Sequence, residues 1–400
     1  MVGLAIARQL AKARPQARTL LLERHDAVGT ETSSRNSEVV HNGGYYTRDS
    51  LKTALCIRGR ELLYRYCAER GIPHRKCGKC IVAQNAEQLA ALERMHAHAK
   101  ELSGARVPLE WLTPAQMAAR EPHVRALAGA LFSPQTGIVD SHALMRCLLG
   151  DIEAAGGDVA LRCRVVAIEP LAGVGYRLST SFPSTAPGQP EEAEGAEITA
   201  EVVVNAAGLG AVAVANMLPQ AARRTAHFCK GTYYVPVSRP PPVRTLVYPA
   251  PEPGAAGLGT HLTLDLAGNL RFGPDVRWVS DPSDLAATDT GADAARAAVQ
   301  TYLPTIGKLR PDYAGMRPKL LPPPSPGQPG GGGVAGVDFW IRPQEGMPGF
   351  VNLLGIESPG NSPPSGSQRG ICADRRWCCG WTGLTSSLAI AEYVEGLLYR

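Results

Sequence analysis

Met1-Val2-Gly3-Leu4-Ala5-Ile6-Ala7-Arg8-Gln9-Leu10-Ala11-Lys12-Ala13 opens the chain, and Thr19-Leu20-Leu21-Leu22-Glu23 follows just beyond Pro15. The first run predicts a helix over 4–13, stopped near the proline. The second is a short apolar run ending in an acid, as a buried parallel strand does. A glycine, a helix, a strand and then an acid about twenty residues on is the sequel of a dinucleotide-binding turn, where Gly-x-Gly-x-x-Gly joins strand to helix. The first two glycines tighten the turn and admit the pyrophosphate; the third lets helix and strand pack closely. Gly3 takes the third place. Glu23 takes the place of the acid that holds a ribose hydroxyl, the alternative being an ordinary strand-end acid. The first strand and first two glycines do not precede Gly3, so the chain is expected to have lost the start of the motif.

A second element agrees. Glu201-Val-Val-Val-Asn205-Ala-Ala207-Gly208-Leu-Gly210 reads as a buried strand entering a glycine turn and a helix, a second place where backbone approaches a dinucleotide. Val165 lies on the strand expected to meet the adenine. Between these segments, 26–48 is rich in Gly, Ser, Thr and Asn and predicts a loop. Residues 51–70 predict an amphipathic helix ended by Gly71, with Leu55, Leu62, Leu63 and Tyr66 on one side. Thr113-Pro114 starts another helix as N-cap and first helical residue. Helices are also expected over 87–102, 141–157 and 292–303, and strands over 78–83, 159–168, 174–181, 198–205, 231–237 and 268–273. The polar stretch 183–197 reads as a hairpin tip, and 322–336, Pro-rich and then Gly-rich, as a flexible loop.

Composition narrows the class. The 400 residues carry a net charge of +5 and are 44% hydrophobic, which suits a soluble enzyme of two interleaved domains. The charge favours a small anionic substrate, but it is far below the basic stripes of a nucleic-acid binder. No apolar run is long enough for a transmembrane helix. Neither a signal core nor an Arg/Ser-rich transit segment opens the chain. Ten scattered cysteines suggest free thiols in a reducing compartment. The single CxxC, Cys77 to Cys80, lacks two nearby ligands for zinc, since Cys372, Cys378 and Cys379 lie far along the chain; no metal is expected.

The motifs together resemble the L-2-hydroxyglutarate dehydrogenases of the D-amino-acid oxidase/glycine oxidase superfamily. Those that carry the resemblance are Thr32-Ser33-Ser34-Arg35-Asn36-Ser37 with Val39-Val40-His41-Asn42-Gly43-Gly44-Tyr45-Tyr46, then Cys77-Gly78-Lys79, Thr136-Gly137-Ile138-Val139-Asp140, Asn205-Ala-Ala-Gly208-Leu209 and Phe272-Gly273-Pro274-Asp275. Near the end come Val351-Asn352-Leu353-Leu354-Gly355-Ile356-Glu357-Ser358-Pro359-Gly360 and Leu384-Thr385-Ser386-Ser387.

The resemblance implies an α/β fold with a Rossmann-like FAD-binding domain (1–75, 140–215 and 337–400), its first strand missing. This domain is interleaved with an α+β substrate domain on a mixed sheet (76–139 and 216–336). It implies oxidation of L-2-hydroxyglutarate to 2-oxoglutarate, electrons leaving to an unidentified acceptor other than oxygen. It also implies a mitochondrial location, with which peripheral membrane contact is compatible. Ser34, Arg35, Asn36 and Ser37 would form the loop approaching the flavin, and Gly355, Gly360, Leu384 and Thr385 would meet the cofactor from the C-terminal side. One departure stands out: 361–383 interrupts the family's passage from Gly360 to Leu384, without helical or strand period. It reads as a surface loop or as translated non-coding sequence.

Oxidising a 2-hydroxy acid needs a cation for the C1 carboxylate, a base for the hydroxyl proton and a hydride acceptor. Arg317, in Gly315-Met316-Arg317-Pro318-Lys319, is the expected carboxylate anchor, a guanidinium fork being suited to that task. Lys319 and Lys230 are candidates for the second carboxylate. His41 and His261 share the expectation for the base, histidine being matched to neutral pH. Two other readings stay open: an amine or amino-acid oxidase of the same superfamily, and a flavin-free, inactive chain.

Overall fold

A computed structural model describes residues 1–103, 106–183, 192–219, 222–251, 259–323, 338–357 and 382–399. Gly360, the stretch 324–337 and nearly all of 361–383 lie outside the described residues.

The helix opening the chain is Val2–Ala13, buried through Leu4, Ala5, Ile6, Ala7 and Ala11. The strand after it, Leu20–Leu22, pairs in parallel with Asp158–Ala160. A second parallel ladder joins Val203–Asn205 to Phe350–Leu354, which pairs antiparallel with Trp340–Pro343. Among the described residues these two ladders belong to separate sheets. The strand expected to be fully buried is therefore paired on one side, and Leu20 is 42% exposed. The helix Val2–Ala13 bridges the ladders: one apolar cluster holds Leu4 and Ile6 together with Leu21, Val159 and Val204.

Leu51–Arg70 forms the expected helix, capped by Ser50, whose hydroxyl accepts from Thr53 N, and closed by Gly71 in the left-handed region (φ 64°). It is not an amphipathic surface helix: Lys52, Thr53, Gly59 and Arg60 are buried along with the leucines, because the C-terminal helix Thr382–Leu398 packs against it. A Cβ at Gly59 would stand 2.3 Å from the Thr385 carbonyl oxygen and 2.6 Å from Ser386 Cα. The C-terminal helix starts at Thr382. The last two residues of the proposed insert are thus helical, and the Gly383 position faces Ile356 and Val2.

The other half is a nine-stranded sheet. Its order is Arg277–Val279, His227–Pro236, Leu270–Gly273, His261–Leu264, Leu246–Pro249, Lys79–Ala83, Gly129–Ser133 and Glu110–Leu112, with Leu309–Lys319 alongside His227–Pro236. Only the pairing of Leu246–Pro249 with Lys79–Ala83 is parallel within it. The helix Pro114–Arg120 carries the expected cap as a full capping box between Thr113 and Gln116. Of the stretch read as a hairpin tip, 192–197 is strand, since Glu192–Ala200 pairs with Tyr176–Pro183; 184–191 lie outside the described residues.

Candidate active site

Several sequence-predicted cofactor residues gather at the N-terminus of the first helix. A Cβ at Gly3 would lie 3.5 Å from Ala206 Cβ, one residue before Ala207. The Met1 amine donates to Ser33 Oγ at 3.1 Å, and its electrostatic partner is Glu23. Burial lowers that amine to about 6, the Glu23 carboxylate partly opposing the shift. The Gly210 position faces Arg24 Nη1 at 3.6 Å, tying the loop after Glu23 to the turn at Gly208, itself in the left-handed region (φ 56°). Asn205 holds that turn by donating to the Ala211 carbonyl at 2.8 Å. Val165 packs in the same small cluster as Leu22, next to Glu23. Gly355 comes just before Ile356, which shares the apolar cluster of Met1 and Val2. The glycine follows Phe350–Leu354 in the left-handed region (φ 60°), against Leu320.

The loop 30–37 runs from there onto the nine-stranded sheet. Thr32 Oγ1 donates to the Met316 carbonyl at 2.8 Å, Arg35 Nη1 to the Ala314 carbonyl at 3.4 Å, and the Tyr313 hydroxyl to the Asn36 carbonyl at 2.6 Å. Asn36 Nδ2 closes the loop on the Ser33 carbonyl. Ser34 Oγ does the same on Glu31. Ser37 Oγ and Arg35 Nε are buried with no hydrogen-bond partner among the described residues, as donors awaiting a polar ligand would be. The loop therefore docks on the strand that carries Arg317.

Arg317 is buried (2% exposed) and stands opposite Cys229 in the antiparallel ladder, its Nη1 3.8 Å from Cys229 Sγ. The absence of a side chain at Gly231 leaves room for it: a Cβ there would lie 3.0 Å from Arg317 Nη2 and 2.8 Å from Pro274 Cβ. The preceding Gly273 is the register partner of His261. Lys230 stands opposite Met316, one place along, and so projects from the other face of the ladder. There it donates to Asp284 at 2.7 Å. Lys319 shares Arg317's face but donates to Glu357 at 2.7 Å. Each lysine expected to meet a substrate carboxylate already faces a carboxylate of the chain.

The two histidines are brought together. His41 and His261 are 220 positions apart by residue number, yet His41 is electrostatically coupled to both His261 and Lys79. Backbone holds His41 in place: its N–H donates to Thr385 Oγ1 at 3.1 Å, and that hydroxyl donates on to the Val39 carbonyl. Thr385 thus ties the C-terminal helix to the loop, and Leu384 beside it is buried. The His261 ring stacks on Tyr248 at 3.8 Å with an interplanar angle of 2°. Burial, then Lys79, then His261 hold the His41 imidazole well below its usual value, so it is neutral at pH 7. Both its ring nitrogens lack hydrogen-bond partners among the described residues. Sequence reasoning missed Lys79. It is fully buried, and its Nζ lies 4.0 Å from the Tyr45 ring centre and 4.6 Å from that of Tyr248.

The chain matches the model of the DAO family, "FAD dependent oxidoreductase", over residues 1–363. It is 36% identical over 437 aligned residues to "L-2-hydroxyglutarate dehydrogenase, mitochondrial" of Arabidopsis thaliana, covering 100% of this chain and 82% of that protein. The Homo sapiens protein of the same name is 30% identical over 303 residues, 72% of this chain and 63% of its own length. Among solved structures, the FAD-bound L-alpha-glycerophosphate oxidase of Mycoplasma pneumoniae superposes with a TM-score of 0.77 at 21% identity, covering 100% of this chain and 93% of that one. Glycine oxidase of Geobacillus kaustophilus gives 0.72 at 19%, covering 100% and 92%. These structures share the fold. The cofactor is FAD, and the residues fit it, with a helix N-terminus suited to a diphosphate, a nearby acid and orphaned donors along the connecting loop. The chain belongs to the DAO family of FAD-dependent oxidoreductases, in its L-2-hydroxyglutarate dehydrogenase branch.

Proposed function

We propose that this chain oxidises L-2-hydroxyglutarate to 2-oxoglutarate in the mitochondrion, electrons passing to an acceptor other than oxygen. The observation that carries the reading is the meeting of His41 and His261 in one buried cluster, flanked by the docked loop and by the sheet face of Arg317. When bound, FAD supplies the hydride acceptor. Arg317 grips the C1 carboxylate through two parallel N–H donors and so fixes C2 and its hydroxyl. His41, neutral because it is buried, accepts the hydroxyl proton at a ring nitrogen, and His261 lines the same pocket. Segments 1–75, 140–215 and 337–400 hold the cofactor; 76–139 and 216–336 hold the substrate. Gly3, Glu23 and the Gly208 turn take the dinucleotide end, and Thr385, through His41, the redox end.

The test is anaerobic. Purified protein is mixed with L-2-hydroxyglutarate, D-2-hydroxyglutarate, lactate or glycine, and flavin absorbance is followed. Bleaching by L-2-hydroxyglutarate ahead of the others is expected. Bleaching by glycine alone makes the chain an amino-acid oxidase, and absence of flavin from the protein removes the reading.

A further inference from the structure

A five-carbon diacid presents a second carboxylate, and both lysines expected to receive it are committed to Glu357 and Asp284. One buried lysine is not so committed. Lys79 lies on the strand Lys79–Ala83, in register with Leu246 and with Ser133. The same face carries Tyr248 and, one strand further, His261, which stacks on it. Lys79 Nζ has no hydrogen-bond partner among the described residues, and the same holds for the Tyr45 hydroxyl and both ring nitrogens of His41. The groups facing it are Tyr45 and His41 from the loop, Tyr248 from the sheet, on which His261 stacks, and Cys56 from the helix Leu51–Arg70, with Arg60 beside Cys56. None of these is a carboxylate. Arg60 is occupied by the Asn42 and Arg106 carbonyls.

Buried polar atoms are nearly always partnered, and an exception marks a ligand or a functional role. Four such atoms on three adjacent side chains, one of them a potential ammonium, describe a place for an anion with several acceptor lone pairs. We infer that Lys79, with the Tyr45 hydroxyl and the His41 ring beside it, forms the subsite for the substrate carboxylate remote from Arg317. Lys79 is thereby the residue that selects a dicarboxylate over a monocarboxylate. This rests on the reaction proposed above. Arg317 approaches the cluster past Pro274, next to the register partner of His261; Lys79 approaches through Tyr248, on the other side of His261. Burial holds the Lys79 amine well below its ordinary range, and Cys56, pushed up to about 12, carries no charge to offset it. A dicarboxylate entering the subsite therefore draws a proton from solvent onto Lys79, giving an ammonium–carboxylate pair.

Isothermal titration of the flavin-loaded protein at pH 8, in two buffers of different ionisation enthalpy, reads both affinity and proton uptake. The probes are glutarate and butyrate, which differ in the second carboxylate. Wild type is expected to prefer glutarate at least tenfold and to take up a proton with it alone. Lys79→Met should bring glutarate down to the butyrate level and abolish the uptake, with butyrate affinity and flavin content unchanged. Lys79→Arg, an always-charged side chain, should keep part of the preference without proton uptake, which guards against a Met variant that does not fold. Proton uptake surviving in Lys79→Arg, or an undiminished glutarate preference in Lys79→Met, overturns the assignment. So does a Met variant that loses flavin while its preference stays, since Lys79 would then serve the cofactor. Equal wild-type affinity for both acids sinks this inference alone; wild type binding neither sinks the proposed reaction with it.

Discussion

Asn205 and Asn352 stand opposite each other in the ladder between Val203–Asn205 and Phe350–Leu354, and the Asn205 amide donates to Asn352 Oδ1 at 2.7 Å. The second proton of the same amide goes to the Ala211 carbonyl, and Asn352 in turn donates to Gln344 Oε1 at 3.0 Å. The chain of bonds ties the C-terminal strand to the glycine turn at Gly208. Asn352→Leu leaves an Asn205 donor buried and unmade, a loss of about 1–3 kcal/mol. The expected outcome is a lowered melting temperature with reduced flavin content, because the turn loses an anchor. Asn205→Leu in the Asn352→Leu background should cost less than the sum of the two. Additive losses in that double-mutant cycle would show that the pair is not coupled.

Gly59 marks where the helices Leu51–Arg70 and Thr382–Leu398 touch backbone to backbone. A methyl at Gly59 would meet the Thr385 carbonyl at 2.3 Å, and no side-chain rotation relieves that contact. Gly59→Ala gains helix propensity, roughly 1 kcal/mol, but forced separation of packed elements costs about 1–3 kcal/mol. A net fall in melting temperature is expected. Since Thr385 also accepts from the His41 N–H, turnover should fall too, even where folded protein is recovered. An unchanged or raised melting temperature would mean that the helices part without cost.

Which parts of this molecule could be read from the chain alone follows from how local each signal is. The helix Leu51–Arg70 and the Thr113 cap rest on neighbouring residues, and both were legible. His41 and His261 were singled out by chemistry, although nothing local tells that they meet. Lys79 has no such local mark: every residue of its strand Lys79–Ala83 is buried, which nothing in the charge of a lysine suggests. The partners of Lys230 and Lys319 lie 54 and 38 residues away, so neither commitment shows in composition or spacing. The stretch 192–197 reads as a tip because it is polar. Its long pairing with Tyr176–Pro183 supplies the backbone bonds that its side chains do not advertise.

His41 gives the fold a pH dependence with a definite sign. Its folded value lies well below 6.5, and the unfolded imidazole titrates at 6.5. Between the two, the unfolded chain binds a proton that the folded chain does not, so stability is lost as pH falls below about 6.5, by at most about 1.4 kcal/mol per pH unit. Above that pH the residue adds no slope. Denaturant midpoints at pH 7.5, 6.5 and 5.5 should therefore drop more steeply for wild type than for His41→Gln. Parallel profiles would mean that the imidazole is charged inside the fold.

Arg317 and Lys319 share one face of one strand, and the site reading gives them different work. Arg317 is proposed to hold the C1 carboxylate common to L-2-hydroxyglutarate and lactate. Lys319 is held by Glu357 at 2.6–2.7 Å in a nearly closed environment. Removing one partner of such a pair strands the other's charge, at about 3–5 kcal/mol, so Lys319→Met should lower the melting temperature while leaving KM for the diacid near wild type. Arg317→Ala should do the reverse. A charge-assisted bond in a buried site is worth about 1.5–3 kcal/mol, or roughly a 10- to 150-fold loss of kcat/KM, and misplacing C2 adds to it. Arg317→Lys keeps the charge without the fork and should fall between. Steady-state rates with both substrates decide the matter. Loss on both confirms an anchor for the shared carboxylate, and loss on the diacid alone moves Arg317 to the remote one. Turnover within about twofold on both, roughly 0.4 kcal/mol, removes Arg317 from the site.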